Sequence, residues 1–177
     1  TEAYYDFFEK NTVDGHGVDV IRSGRLHEIS KEFDLDRFNK QEFFRQIASA
    51  VDFNPGVNAD GFYAMFGHVM RLDGQMLRIR DNLRKRGIAT ALITNMNSFH
   101  AEYIRRMYPG VFSGFDFNFI SCHEGVAKPD PEAWIRTLDR IGFNAEEAIF
   151  IDDLAVNVDV SRRLGINGWH YNVADEN

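Results

Sequence analysis

An α/β fold, a parallel sheet flanked by helices with a smaller helical part ahead of it, is what this sequence predicts. Three observations carry the prediction. Short apolar runs end on polar or acidic residues: Ile88 to Ile93 before Thr94-Asn95, Phe115 to Ser121 before a Gly-containing loop, and Ala148 to Ile151 before Asp152-Asp153. Runs of this length between polar residues read as buried strands. A helix signal follows each run, and such alternation implies a parallel sheet with helices on its faces. Finally, the first part of the chain carries helical spacing and little strand signal, so a helical unit is expected over residues 1–71 and an α/β unit over 72–177.

Each element has its own local reason. Thr1 to Phe8 reads as an amphipathic helix, and Phe38 to Ile47 spaces its apolar residues four and five apart, as one helix face requires. Between them, Leu26 to Phe33 is a charged stretch that offers no apolar run for a central strand. Asn54-Pro55-Gly56 is a turn signal. Phe62 to Leu72 reads as a further helix whose Phe/Met stripe belongs to a core. Gln75 to Arg86 is a helix with a basic end, closed by Gly87. After the first strand, Ser98 to Met107 is helical. Pro131 fits the first turn of the helix Ala133 to Ile141. Val156 to Leu164 is the last helix, and Gly168 to Val173 the last strand. No internal repeat or low-complexity linker interrupts the pattern.

Composition narrows the function. A chain of 177 residues suits one domain, or a core with a small insertion, and its 44% hydrophobic residues, sixteen of them Phe, can fill a sizeable interior. The net charge of −7 argues against a general nucleic-acid binder, which needs a basic face. One cysteine, Cys122, permits no internal disulfide and fits a reducing cytoplasm, the expected setting. No apolar run approaches a membrane-spanning length, and no signal peptide stands at Thr1. Gly15-His16-Gly17 lacks the third glycine and the preceding strand of a dinucleotide fingerprint, and the six histidines share no metal-ligand spacing.

The strand ends carry the chemistry. In an open α/β sheet, ligands bind at the carboxyl ends of the strands. Asp152 and Asp153 end one strand as adjacent hard oxygen donors, which suits Mg²⁺, an ion that takes one or two carboxylates plus substrate phosphate. Thr94 and Asn95 end another and can donate to an anionic oxygen beside a helix start, where backbone N–H groups also favour phosphate. Lys128 is pinned in a loop between Ala127 and Pro129, and the proline biases it away from helical geometry.

The order Thr94-Asn95, Lys128-Pro129, Asp152-Asp153 resembles motifs two, three and four of the haloacid dehalogenase-like (HAD) hydrolase superfamily. The stretches LITNMNSFH, GVAKPDPEAW and IFIDDLAVNVDVSRRLG look like that family, and the match runs over roughly residues 76–172. The resemblance implies a Rossmann-like parallel sheet, a small helical cap over 1–71, and Mg²⁺-dependent phosphoryl transfer through an aspartyl-phosphate. In that reading Thr94 and Asn95 bind the phosphoryl oxygens, Lys128 neutralises nucleophile and phosphate, and Asp152 and Asp153 hold the metal with support from Asn157. Asn97 and His100 would line the pocket mouth, and the small cap implies a small phosphorylated metabolite. Dehalogenases of the same fold need no metal and lack the acidic pair, so Asp152-Asp153 favours a phosphatase, and phospho-acceptor receiver domains carry their acidic pair on the first strand and do not fit.

One part of the family pattern is missing: an apolar strand ending in Asp-x-Asp, which supplies the nucleophile. The only Asp-x-Asp is Asp34-Leu35-Asp36, expected in a turn of the helical unit and away from Asp152. The chain begins at Thr1 rather than Met, and the nucleophile strand is expected to have been lost just upstream. In the family that strand lies mid-sheet, so without it the strands ending at Thr94 and Asp152 would show unpaired backbone, which is costly when buried. The expectation is a phosphatase-type chain that is inactive as it stands, the alternative a non-catalytic binding or regulatory module.

Overall fold

The computed structural model describes residues 2–68 and 72–171. The chain opens with α1 (Glu2–Asn11), α2 (His16–Arg22), α3 (Arg25–Phe33), α4 (Lys40–Ala50) and α5 (Ala59–His68). These helices bury their apolar faces on one another. Phe8, Leu26, Phe33, Phe43, Ile47, Phe62 and Phe66 form the shared core, with Phe33 and Phe43 stacked at 4.0 Å between ring centroids. α4 starts where it does because the Asn39 side chain accepts from Glu42 N, satisfying one of the donors a helix start leaves open. Close approach of α2 to α1 requires Gly17, since a Cβ there would stand 2.7 Å from Thr12 Cγ2.

Then follow α6 (Gly74–Lys85), β1 (Ala91–Thr94), α7 (Ser98–Met107), α8 (Gly110–Ser113), β2 (Phe117–Ile120) and α9 (Ser121–Glu124). The chain continues through α10 (Glu132–Ile141), β3 (Ile149–Asp152), α11 (Ala155–Arg163) and β4 (Asn167–His170). The strand–helix alternation is that of an α/β fold. Boundaries move by a few residues from the sequence expectation. β1 begins at Ala91 rather than Ile88, because the Asp116 carboxylate takes the Thr90 N–H before strand pairing starts. α5 begins at Ala59, three residues before Phe62, and Leu72 is not helical. The part of the expected last strand at 172 and 173, and residues 69–71 of the expected helix, lie outside the described residues. Leu26 to Phe33 is helix, as its lack of an apolar run required.

All strand pairing is parallel. β1 lies beside β2 in the register Ala91↔Phe117 to Thr94↔Ile120, and β3 beside β4 in the register Ile149↔Asn167 to Asp152↔His170. The two pairs are separate sheets, so among the described residues β1 and β3 each keep one edge without a strand partner. One apolar cluster nevertheless joins them: Phe119, Ala133, Trp134, Val160 and Ile166, with Ile93 of β1 and Phe150 of β3 packed against it. On the other face of β3–β4, Ile149 and Trp169 are 70% and 67% exposed. No described helix is long and apolar enough to cross a membrane.

Candidate active site

The site grows from the carboxyl ends of β1 and β3. Thr94 is the half-buried last residue of β1, and Asn95 follows it. The Asn95 carboxamide grips the backbone of Lys128 at two points: Oδ1 accepts from Lys128 N at 2.7 Å, and Nδ2 donates to Lys128 O at 2.8 Å. Lys128 lies between the end of α9, closed by Gly125 at φ 67, and a cis Lys128–Pro129 peptide. Asp130 then accepts from Glu132 N to start α10.

From this anchored backbone the lysine side chain reaches across to β3. Lys128 Nζ stands 2.5 Å from Asp152 Oδ2, in a pair whose side chains are only 12% and 6% exposed. The other carboxylate oxygen, Oδ1, accepts from Leu154 N and Asn157 Nδ2, both at 2.9 Å. Burial pushes the Asp152 carboxyl up, but the Lys128 charge, with hydrogen bonds from Lys128, Asn157 and Leu154, outweighs it and holds the group below the usual carboxylate range. Asp153 is exposed, and its carbonyl accepts from the His170 ring at 2.9 Å. Lys128 thus joins the ends of β1 and β3, one strand from each pair.

The residues named from the sequence therefore divide. Thr94, Asn95, Lys128, Asp152 and Asp153 gather at one end of the strands, with Asn157 beneath Asp152. Asn97 and His100 are both buried, and their polar atoms find partners within α7 and in the helical layer, as buried polar atoms must. Asn97, 1% exposed, caps α7 by accepting from His100 N, and its Nδ2 donates to Asp34 Oδ1 at 3.1 Å. The His100 ring stacks on Phe66 at 4.4 Å, with Nε2 3.0 Å from the Phe66 carbonyl. A carbonyl only accepts, so Nε2 carries the proton. Burial lowers the ring's pKa and keeps it neutral, against the opposing hydrogen bond to Phe66.

Asp34 and Asp36 lie in the turn after α3, not at the end of a strand. Asp36, at φ 51, accepts from Ser98 N at the start of α7. The Asp34 carbonyl accepts from Ser121 Oγ at 2.6 Å, and the same Ser121 Oγ accepts from Met96 N. Ser121 is fully buried and ties the helical layer to the loop after β1. Nothing in the spacing marked it; its position at the end of an expected strand, level with the Thr94-Asn95 end of β1, is the one available signal.

A family model for a haloacid dehalogenase-like hydrolase matches residues 7–165. The chain belongs to the HAD-like hydrolases. It is similar to the sesquiterpene phosphatase astK of Aspergillus oryzae, 27% identical over 143 residues, which span 81% of this chain and 72% of that protein. It is also similar to acyl-CoA dehydrogenase family member 10 of Mus musculus, 37% identical over 92 residues, where the match spans 52% of this chain and only 8% of the relative. Among solved HAD structures, the family enzyme BT-2542 from Bacteroides thetaiotaomicron superposes with a TM-score of 0.74 at 21% identity, over 88% of this chain and 78% of that one. The same enzyme solved with magnesium and inorganic phosphate gives a TM-score of 0.71 at 19% identity, over 94% and 90%. At these identities the structural likeness speaks for the HAD fold.

Proposed function

We propose that this HAD-like hydrolase is a Mg²⁺-dependent phosphatase of a small phosphorylated metabolite, with residues 1–71 as its helical cap and the cytoplasm as its setting. The observation that carries the reading is the chain Asn95–Lys128–Asp152, which joins the ends of β1 and β3 and sets a fixed cation beside a buried acid. Similarity to a protein named as a phosphatase supports it.

The residues present fit magnesium in kind. Asp152 and Asp153 offer hard oxygens, and no described group of three acids, histidines or cysteines competes to build an all-protein cage. Mg²⁺ suits that sparse donor set, since it keeps several waters and takes one or two carboxylates. When bound it would neutralise charge on the phosphoryl oxygens. The chain's own groups do the rest. Thr94 presents its hydroxyl at the strand end, Lys128 supplies positive charge to the phosphate, and Asn157 orients Asp152.

Covalent transfer through an aspartyl-phosphate needs a nucleophilic carboxylate. Asp34 and Asp36 are committed to α7 and the Ser121 corner, so neither serves. The open edges of β1 and β3 define where a further strand ending in Asp-x-Asp would seat that nucleophile. The test is phosphate release from a simple aryl phosphate, with and without Mg²⁺. The 177-residue chain is expected to be silent, and the chain extended by such a strand to turn over. In the extended protein, Asp152→Asn should lower the rate by about 10²-fold or more and blunt the Mg²⁺ dependence. Turnover by the bare chain would remove the missing-nucleophile argument. Silence from the extended one would leave a non-catalytic binding module.

A further inference from the structure

We propose that Asn95 is a positioning residue, which clamps the Lys128 backbone so that the lysine's ammonium is aimed into the phosphate site, rather than a ligand of the phosphate itself; this rests on the phosphatase reading of the site. A carboxamide has the donor–acceptor layout of a peptide group, and Asn95 uses it as one, pairing with Lys128 N and Lys128 O at 2.7 and 2.8 Å. Lys128 N and Lys128 O belong to successive peptide groups, so the two bonds hold the orientation of both, where one bond would hold only one. Apart from the turn that spans it, in which Asp130 N donates to Ala127 O at 2.9 Å, Asn95 supplies the hydrogen bonds that hold the Lys128 backbone. The following residue, Pro129, has no N–H to contribute, and the loop runs from a left-handed Gly125 to the start of α10. The side chain must then span from this loop to β3, where it meets Asp152. A flexible four-carbon stem on a loose backbone would spread its charge over many positions. The clamp also uses both ends of the Asn95 carboxamide on protein, with a single Nδ2 hydrogen left over.

Two measurements decide it. The first is exchange of the Lys128 amide hydrogen, read by NMR without any ligand. Protection is expected in the parent, loss confined to Lys128 and its neighbours in Asn95→Ala, and retention in Asn95→Asp, whose carboxylate still accepts from Lys128 N. An unprotected Lys128 amide in the parent overturns the clamp, as does loss of protection across the whole core in Asn95→Ala, which would make Asn95 a general scaffold residue. The second is binding of inorganic phosphate to the full chain, by calorimetry, in Asn95→Ala, Lys128→Ala and the double variant. Each single change is expected to weaken binding about tenfold, and the double variant to bind no more weakly than Lys128→Ala, because coupled residues are not additive. Additive losses would make Asn95 an independent phosphate ligand and overturn the proposal. If the parent binds no phosphate, the phosphatase reading falls by itself, and the amide result still decides whether Asn95 clamps Lys128.

Discussion

Asp34 shows how one residue records the docking of the helical layer onto the α/β part. Its carboxyl accepts from Asn97 Nδ2, yet burial outweighs that bond and pushes it from 3.8 up to about 6. A carboxyl with a raised folded value binds its proton more tightly in the folded chain. Its contribution to stability is therefore complete below about pH 4 and is lost as pH rises through about 6. A shift of about two units corresponds to on the order of 2–3 kcal/mol. His100, across the same seam, runs the other way: its lowered value means stability present above the ordinary histidine range and lost on acidification. Comparing Asp34→Asn with the parent cancels the histidine. The variant should show a flatter stability slope between pH 4 and 6, and should gain on the order of 1–2 kcal/mol at pH 7, measured by urea unfolding across a pH series. An unchanged slope would place the titration on another group.

At the scale of elements, what the sequence revealed was whatever is decided locally. α7 runs from Ser98 to Met107 as its periodicity required, because Asn97 supplies the cap, and α10 ends at Gly142 in the left-handed conformation that stops helices. The strands ending at Thr94 and Asp152 were legible because apolar runs stop there. The Phe-rich helices were legible as core. What escaped notice was long-range. Asn97 meets Asp34 across 63 residues and Ser121 meets Asp34 across 87, and no local pattern encodes such meetings. The same holds for Asn95, whose residue type fits a phosphate ligand equally well until its partner 33 residues on is known. The helical core itself invites a direct measurement. Phe43 is fully buried and stacked on Phe33, so Phe43→Ala should cost about 3–5 kcal/mol in chemical denaturation. A loss below about 1 kcal/mol would mean that this core repacks around the gap.

For the whole molecule, the decisive feature is strand pairing split into two pairs over one shared apolar cluster. The proposed active site lies where Lys128 bridges the two pairs, while apolar surface is left uncovered on β3 and β4. Ile149 and Ile151 alternate onto the same face of β3, and Trp169 lies opposite Ile151 on β4, so their exposure is one continuous patch rather than scattered residues. Strand edges without partners template pairing with other chains, and an apolar patch next to them adds a drive to associate. The 177-residue chain should therefore self-associate at tens of micromolar, as exposed edges do in that range, when followed by sedimentation velocity. The two tryptophans report on the same surface from opposite sides. Trp134 is 1% exposed against Phe150, and Trp169 is 67% exposed. In dilute solution the emission should be a red-shifted, iodide-quenchable part from Trp169 on top of a protected part from Trp134, and Trp169→Phe should leave only the protected part. Extension by a strand seated between β1 and β3 should reduce self-association, because it pairs two of the open edges, those of β1 and β3, at once. A chain that stays monomeric at those concentrations, with Trp169 shielded from iodide, would show that this face and these edges are already covered, and the open position proposed for the nucleophile strand would go with them.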